Sequence, residues 1–163
     1  MEILIDTNVI LDHLESRPAE AENAGKILRL CYQKVCKGYI AAHSITNIFY
    51  ILRKRFSVTE RKKMLLDLCE FIDVVGIQKE LIYNALNDNE FDDFEDRLQF
   101  ECAQFISADY IITRNIDDFP NSYIPVILPK DFLEIIKKQQ QEKEQITENK
   151  EKGEVRNEEL GGE

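Results

Sequence analysis

Residues 2–12 read EILIDTNVILD, a run that passes from a strand into a helix with a carboxylate at the joint. Residues 2–5 suit a short buried strand, and the polar pair Thr7 and Asn8 leads into a helix expected over 8–15. A strand that hands over to a helix at once is the building unit of a layered α/β domain. The same alternation recurs down the chain. Further strands are expected at 38–42 (GYIAA), 72–76 (IDVVG), 109–113 (DYIIT) and 125–128 (PVIL). Amphipathic stretches between them predict helices over 19–37, 44–56, 59–70, 78–87, 93–107 and 130–138. Ser57 or Val58 with Thr59 opens one helix, and Asp92 with Glu95 resembles a capping box for another. The pattern implies an α/β fold around a mostly parallel sheet. There is no internal repeat, and Pro120 and Pro125 bracket a loop, PNSYIP.

The chain has 163 residues, room for one domain of ordinary size, roughly 100 to 150 residues. Past residue 137 the composition turns charged and almost devoid of apolar side chains. This divides the chain into a domain at 1–137 and a tail at 138–163, expected to be disordered or loosely helical, either solvated or bound by a partner. A formal charge of −10 excludes a protein that coats nucleic acid by bulk electrostatics, so contact with a polyanion has to be local. Cys31, Cys36, Cys69 and Cys102 form no CxxC and stand apart from His13 and His43, which predicts reduced core thiols rather than a zinc site. The two histidines read as surface or packing residues. No basic leader and no apolar run of membrane-spanning length is present, giving the expectation of a cytoplasmic protein without membrane contact.

Ligands of an open parallel sheet sit beyond the carboxyl ends of its strands. Asp6 stands at such an end, and so do Thr113, Asn115 and Asp118 after the apolar YII. Asp93 and Asp96 share one face near the start of a helix. Each has a plainer account. Asp6 alone suits a helix N-cap, Asp93, Glu95 and Asp96 suit the positive end of a helix dipole, and Asp12 and Glu15 suit a solvated face. Taken together, carboxylates from separate segments meeting at one sheet edge match the oxygen donors that a hard cation such as Mg²⁺ requires.

Four motifs carry a resemblance: LIDTNVILD at the N-terminus, SITNIFYILRK at 44–54, DFEDRLQFECA at 93–103 and ADYIITRNIDDF at 108–119. In this order and spacing they resemble the PIN-domain nucleases, particularly the small single-domain group that contains VapC-type toxins. The resemblance spans residues 1–137 and implies a three-layer PIN-like fold, a central sheet of four to five strands with helices on both faces. Asp6 matches the first metal-binding aspartate of that family and Asp96 the aspartate of its helix motif. Asn8 and Thr113 match residues that line the pocket. Acids are implied near 47 and 115, where this chain has Asn47 and Asn115. A neutral carbonyl oxygen attracts a divalent ion less than a carboxylate does. Asp93, Glu95, Asp117 and Asp118 lie nearby, and Asp118 is the best placed to compensate.

The resemblance further implies that Mg²⁺ or Mn²⁺, held by Asp6 and Asp96, activates a water for attack on an RNA phosphodiester. The catalytic set would be Asp6, Asp96 and Asp118, in a metal-dependent endoribonuclease that is the toxin of a toxin–antitoxin pair. RNA, an antitoxin protein and a second copy in a homodimer would be its partners. Basic clusters at Arg53–Arg55 and Arg61–Lys63 offer a path for RNA, or are solvated helix ends. Arg97 and Arg114 flank the candidate ligands and suit phosphate contacts, although Arg97 also suits a pair with Glu101 four residues on. IFYIL at 48–52 fits either core or interface. Two other readings stay open. One is a PIN-like domain that binds RNA or protein without cutting, favoured by Asn47 and Asn115. The other takes Asp6 as a phosphoryl acceptor of the haloacid-dehalogenase type, against which DTNV places Asn8 where a second acid belongs.

Overall fold

The computed structural model describes residues 1–89, 91 and 93–160, with side chains as far as Ile146. Its elements run β1 (Glu2–Ile5), α1 (Thr7–Leu14), α2 (Ala21–Tyr32), β2 (Lys37–Ala41), α3 (Ala42–Ile51), α4 (Val58–Cys69), β3 (Ile72–Val75), α5 (Lys79–Asn87), α6 (Phe94–Phe105), β4 (Tyr110–Ile112), β5 (Val126–Ile127) and α7 (Pro129–Leu160). Short 3₁₀ turns at Leu52–Lys54 and Ile116–Asp118 follow α3 and β4. The five strands form one sheet in the order β3-β2-β1-β4-β5, and every pairing is parallel. This is the expected α/β fold, with helices on both faces.

Alternation along β1 divides the core. Ile3 and Ile5 face a layer that includes Val9, Ile27, Ile48, Leu65 and Phe132, from α1 to α4 and α7. Leu4 faces the opposite layer with Ala85, Leu98, Phe100 and Ala103, from α5 and α6. Each fully buried aliphatic side chain of this kind stabilises the fold by about 1.5–3 kcal/mol. The IFYIL segment contributes Ile48 and Leu52 to the core, while Tyr50 is 62% exposed. Phe132 and Ile136 dock the first turns of α7.

Local chemistry sets most boundaries. Ser57 caps α4 with a full capping box, its hydroxyl accepting from Glu60 N–H and the Glu60 carboxylate from Ser57 N–H. Asp93 caps α6 by accepting from Glu95 N–H at 2.6 Å; Asp92, the cap expected from sequence, lies outside the described residues. The helix expected over 19–37 stops at Tyr32 instead. Lys34 adopts a left-handed φ of 58°, and Val35 N–H turns back to Leu30 C=O at 3.0 Å. That geometry ends a helix and aims the chain into β2. Among the described residues, no helix is long and apolar enough to cross a membrane.

Gly38, the second residue of β2, is pressed against α2 and β3. A Cβ there would sit 2.6 Å from Ile72 Cδ1 and 2.7 Å from Cys31 Sγ. Gly38→Val is expected to lower unfolding free energy by about 1–3 kcal/mol through overpacking, measured by urea denaturation; an unchanged midpoint would show that the cavity beside Cys31 absorbs the side chain.

Candidate active site

The strand order reverses direction between β1 and β4, which opens a crevice at their carboxyl ends. Asp6 sits at its mouth. Its N–H extends the sheet ladder to Ile112 C=O at 3.0 Å, and the residue is only 4% exposed. Asp6 occupies the N-cap position of α1, yet its side chain makes no capping hydrogen bond. The carboxylate instead accepts from Thr113 Oγ1 at 2.9 Å on one oxygen and from Gln99 Nε2 at 3.2 Å on the other. The same Gln99 amide donates to Asp96 Oδ1 at 3.3 Å. One side chain of α6 thus joins the carboxylate of β1 to that of its own first turn.

The pocket around this pair encloses about 190 Å³, and Asn8, Asn47, Asp93, Glu95 and Asp118 complete its polar walls. Thr7 Oγ1 donates to Ser44 Oγ at 2.8 Å and lies 3.4 Å from Glu95 Oε1, which ties α1, α3 and α6 together beneath the opening. Burial raises the Asp6 pKa, against the pull of its bonds to Thr113 and Gln99 and of the nearby Asn8 N–H, and with a further push from Glu95. Burial and the crowd of Asp6, Asp93, Asp118 and Glu95 raise that of Asp96 to about 7. The pocket is a concentration of negative charge. Among the described residues, no trio of His, Cys, Asp or Glu is drawn together closely enough to hold a metal ion.

The remaining candidates divide. Thr113 is fully buried behind Asp6. Asn115 is exposed and outside the pocket lining, and its N–H donates to Thr113 Oγ1 at 3.1 Å. Asp118 reaches the pocket from the 3₁₀ turn after β4.

The two arginines expected at a phosphate are engaged elsewhere. Arg97 pairs with Asp88 at 3.0 Å and with Glu101, and it lies over the rings of Phe91 and Phe100. Its local acids and rings outbid the pocket. Arg114 pairs with Asp12 at 3.1 Å, and Arg17 reaches the same Asp12 oxygen at 3.3 Å. Asp12 and Glu15 correct the expectation of a solvated face. Asp12 is 1% exposed, and Glu15 pairs with Arg17 at 2.6 Å. The inward turn of α1 buries Asp12, and two guanidiniums compensate its charge. His43 is half-buried, and burial lowers its pKa against the raising effects of the Glu95 charge and backbone.

Gln99, Thr7 and Ser44 were not singled out from sequence. The available signal was the three-residue step from Asp96 to Gln99, which puts both on one helix face. A larger cavity of about 650 Å³ opens at the other end of the sheet, by Met1, Lys37 and Asp73. Free Cys31 and Cys36 border it with sulfurs 3.6 Å apart.

A parallel α/β sheet with a carboxylate-walled crevice at its switch point defines a class of acidic-pocket domains. Within that class, the PIN domain profile matches residues 2–117, and the chain belongs to the PIN domain family. Solved structures share the fold. VapBC2 from Rickettsia felis, bound to a promoter DNA fragment, is 15% identical with a TM-score of 0.59 over 78% of this chain and 98% of its own. A toxin–antitoxin complex from Klebsiella pneumoniae is 20% identical with a TM-score of 0.59 over 78% and 97%. Mycobacterium tuberculosis VapC20, described as a sarcin–ricin loop cleaving toxin, is 16% identical with a TM-score of 0.54 over 67% and 86%. A search of curated proteins gave no match.

The elevated Asp96 pKa fixes the sign of a pH effect. The folded chain holds this proton more tightly than the unfolded one, so the group's contribution to stability is complete below about pH 4 and is lost as pH rises through about 7. In metal-free protein, Asp96→Asn is expected to unfold at a higher temperature than wild type above neutrality, with the gap closing in acid. Thermal denaturation across pH checks this, and a variant less stable than wild type at every pH would refute it.

Proposed function

We propose that this protein is a divalent-metal-dependent endoribonuclease and the toxin of a toxin–antitoxin pair. The observation that carries the reading is the convergence of Asp6 and Asp96 on one Gln99 amide, with Asp93, Glu95 and Asp118 on the same pocket wall. The donor set fits Mg²⁺ or Mn²⁺. It consists of hard oxygens, it is crowded enough to raise the Asp96 pKa to about 7, and Gln99 Oε1 is buried with no partner among the described residues. Two carboxylates with waters completing the shell are a common Mg²⁺ arrangement.

Asp6 and Asp96 would hold the ion, which when bound supplies Lewis acidity that lowers the pKa of a water and offsets charge on the phosphate. Thr113 fixes the orientation of Asp6 through its 2.9 Å bond. Asp118, which lines the pocket from the 3₁₀ turn after β4, would accept a proton from the attacking water or orient it. Asn47 and Asn8 present amide groups to the substrate's oxygens. Neither Arg97 nor Arg114 is free to do so. Arg61 is buried and donates to Phe49 C=O at 2.7 Å, which leaves the exposed Arg53–Arg55 segment with Lys62 and Lys63 as the path for RNA. A requirement for divalent metal and a cytoplasmic site of action belong to the same reading. The similarity to toxin–antitoxin assemblies supports an antitoxin as protein partner, and that to VapC20 supports RNA as substrate. Asn47 on the pocket wall, where the family resemblance implies an acid, favours a second reading in which the domain binds RNA or protein without cutting.

Incubating purified protein with a pool of single-stranded and hairpin RNAs in Mg²⁺, Mn²⁺ or EDTA separates the two. Metal-dependent cleavage is expected, with Asp6→Asn and Asp96→Asn each slower by about 10²-fold or more, as for loss of a preorganised electrostatic group. Folded protein that binds RNA but leaves it intact in both metals would select the second reading.

A further inference from the structure

Gln99 is 1% exposed and sits between two carboxylates. A glutamine amide has two N–H donors at one end and a carbonyl at the other. Here the orientation is set by chemistry, because Nε2 faces Asp6 Oδ1 at 3.2 Å and Asp96 Oδ1 at 3.3 Å. Reversing the amide would point a carbonyl at two carboxylate oxygens. Both donors are committed to the acids, and Oε1 is left buried without a partner among the described residues. The bridge also crosses layers, from α6 to the end of β1.

We infer that Gln99 is the positioning residue of this centre: its amide holds the Asp6 and Asp96 carboxylates at a fixed separation against their mutual repulsion. The inference rests on the metal-nuclease reading. No other common side chain of this size reproduces the bridge. Glutamate has no donors when ionised, methionine has none at all, and asparagine is one carbon too short to reach from the same helix position. Without the amide, Asp96 is free to swing toward solvent, where its charge is better hydrated. The two ligands would then have to be brought together at the moment of cation binding. Gln99 itself need not touch the ion. The effect passes through the carboxylates, as with partners that orient metal ligands in other sites.

The test is Mn²⁺ titration calorimetry on metal-free full-length protein, comparing wild type with Gln99→Met and Gln99→Glu, alongside circular dichroism and thermal unfolding. Gln99→Met is expected to keep the wild-type circular dichroism spectrum and to weaken Mn²⁺ binding by about 10- to 100-fold. Gln99→Glu replaces both donors with a third carboxylate, so its metal-free form is expected to melt below wild type and to gain more from Mn²⁺ than wild type does. If Gln99→Met fails to fold, the Gln99→Glu comparison decides alone. Wild-type Mn²⁺ affinity in folded Gln99→Met, or wild-type melting and metal response in Gln99→Glu, would overturn the inference and leave the nuclease reading intact. A wild-type protein that binds no Mn²⁺ would overturn both.

Discussion

A buried carboxylate at the end of the central strand organises this protein. Asp6 is fixed by its own backbone bond into the β4 ladder, and its two oxygens draw Thr113 from the end of β4 and Gln99 from α6. Leaving such a charge in a poorly hydrated crevice without donors costs several kcal/mol. The donors must therefore arrive from separate parts of the chain, and their arrival defines how β4 and α6 sit against β1. The sheet reversal between β1 and β4 provides the opening, and the carboxylate provides the reason that polar rather than apolar groups fill it.

Around this pocket the charge pattern changes character. Asp12 is matched by Arg17 and Arg114, and Glu101 and Asp88 by Arg97, all within ion-pair distance. Inside the pocket, the acids meet hydroxyls and amides instead. Arginine is spent on pinning the walls: Arg114 ties the segment after β4 to α1, and Arg97 ties α6 to the end of α5. The acids at the opening keep their negative potential because, among the described residues, no guanidinium pairs with them. This contrast is local, and the overall charge of −10 would not reveal it.

The layered fold was readable because its signals are short-range. The unbroken apolar run of Ile3, Leu4 and Ile5 marks a strand buried on both faces, and the capping box at Ser57 marks a helix start whatever surrounds it. The end of α2 was not readable, since a left-handed Lys34 carries no residue signature of the kind glycine provides. Asp6, Asp96 and Asp118 stood out as acids at strand or helix ends, the places where parallel sheets collect ligands. Asp12 looked like any polar residue on a helix, and the approach of Arg17 from just past α1 and of Arg114 from the segment after β4 makes its burial tolerable. Arg97 had a local partner, Glu101, four residues away, but Asp88 and the stacked Phe91 come from beyond its helix. Gln99 was hidden most completely, because an amide has no chemistry to advertise until packing places it between two carboxylates.

How the fold keeps mutually repelling acids together is visible in their neighbours. Asp6 follows Ile5, which is fully buried and paired with Ile112 of β4; Asp96 precedes Leu98, which is buried in the same layer as Leu4 of β1; and Asp118 precedes Phe119, also buried. Each acid is thus attached, within two residues, to an apolar side chain whose removal from the core costs about 1.5–3 kcal/mol or more. Repulsion involving the exposed Asp93 and Asp118 is of smaller order, because water and salt screen it, while the buried Asp6 is offset by its donors Thr113 and Gln99. Side chains can relieve some of it by rotation or by taking up a proton, but the backbone positions are held. The acidic centre is therefore a local violation of good charge pairing that the adjacent core overrides, which is the form in which folded proteins tolerate sites built for something other than stability.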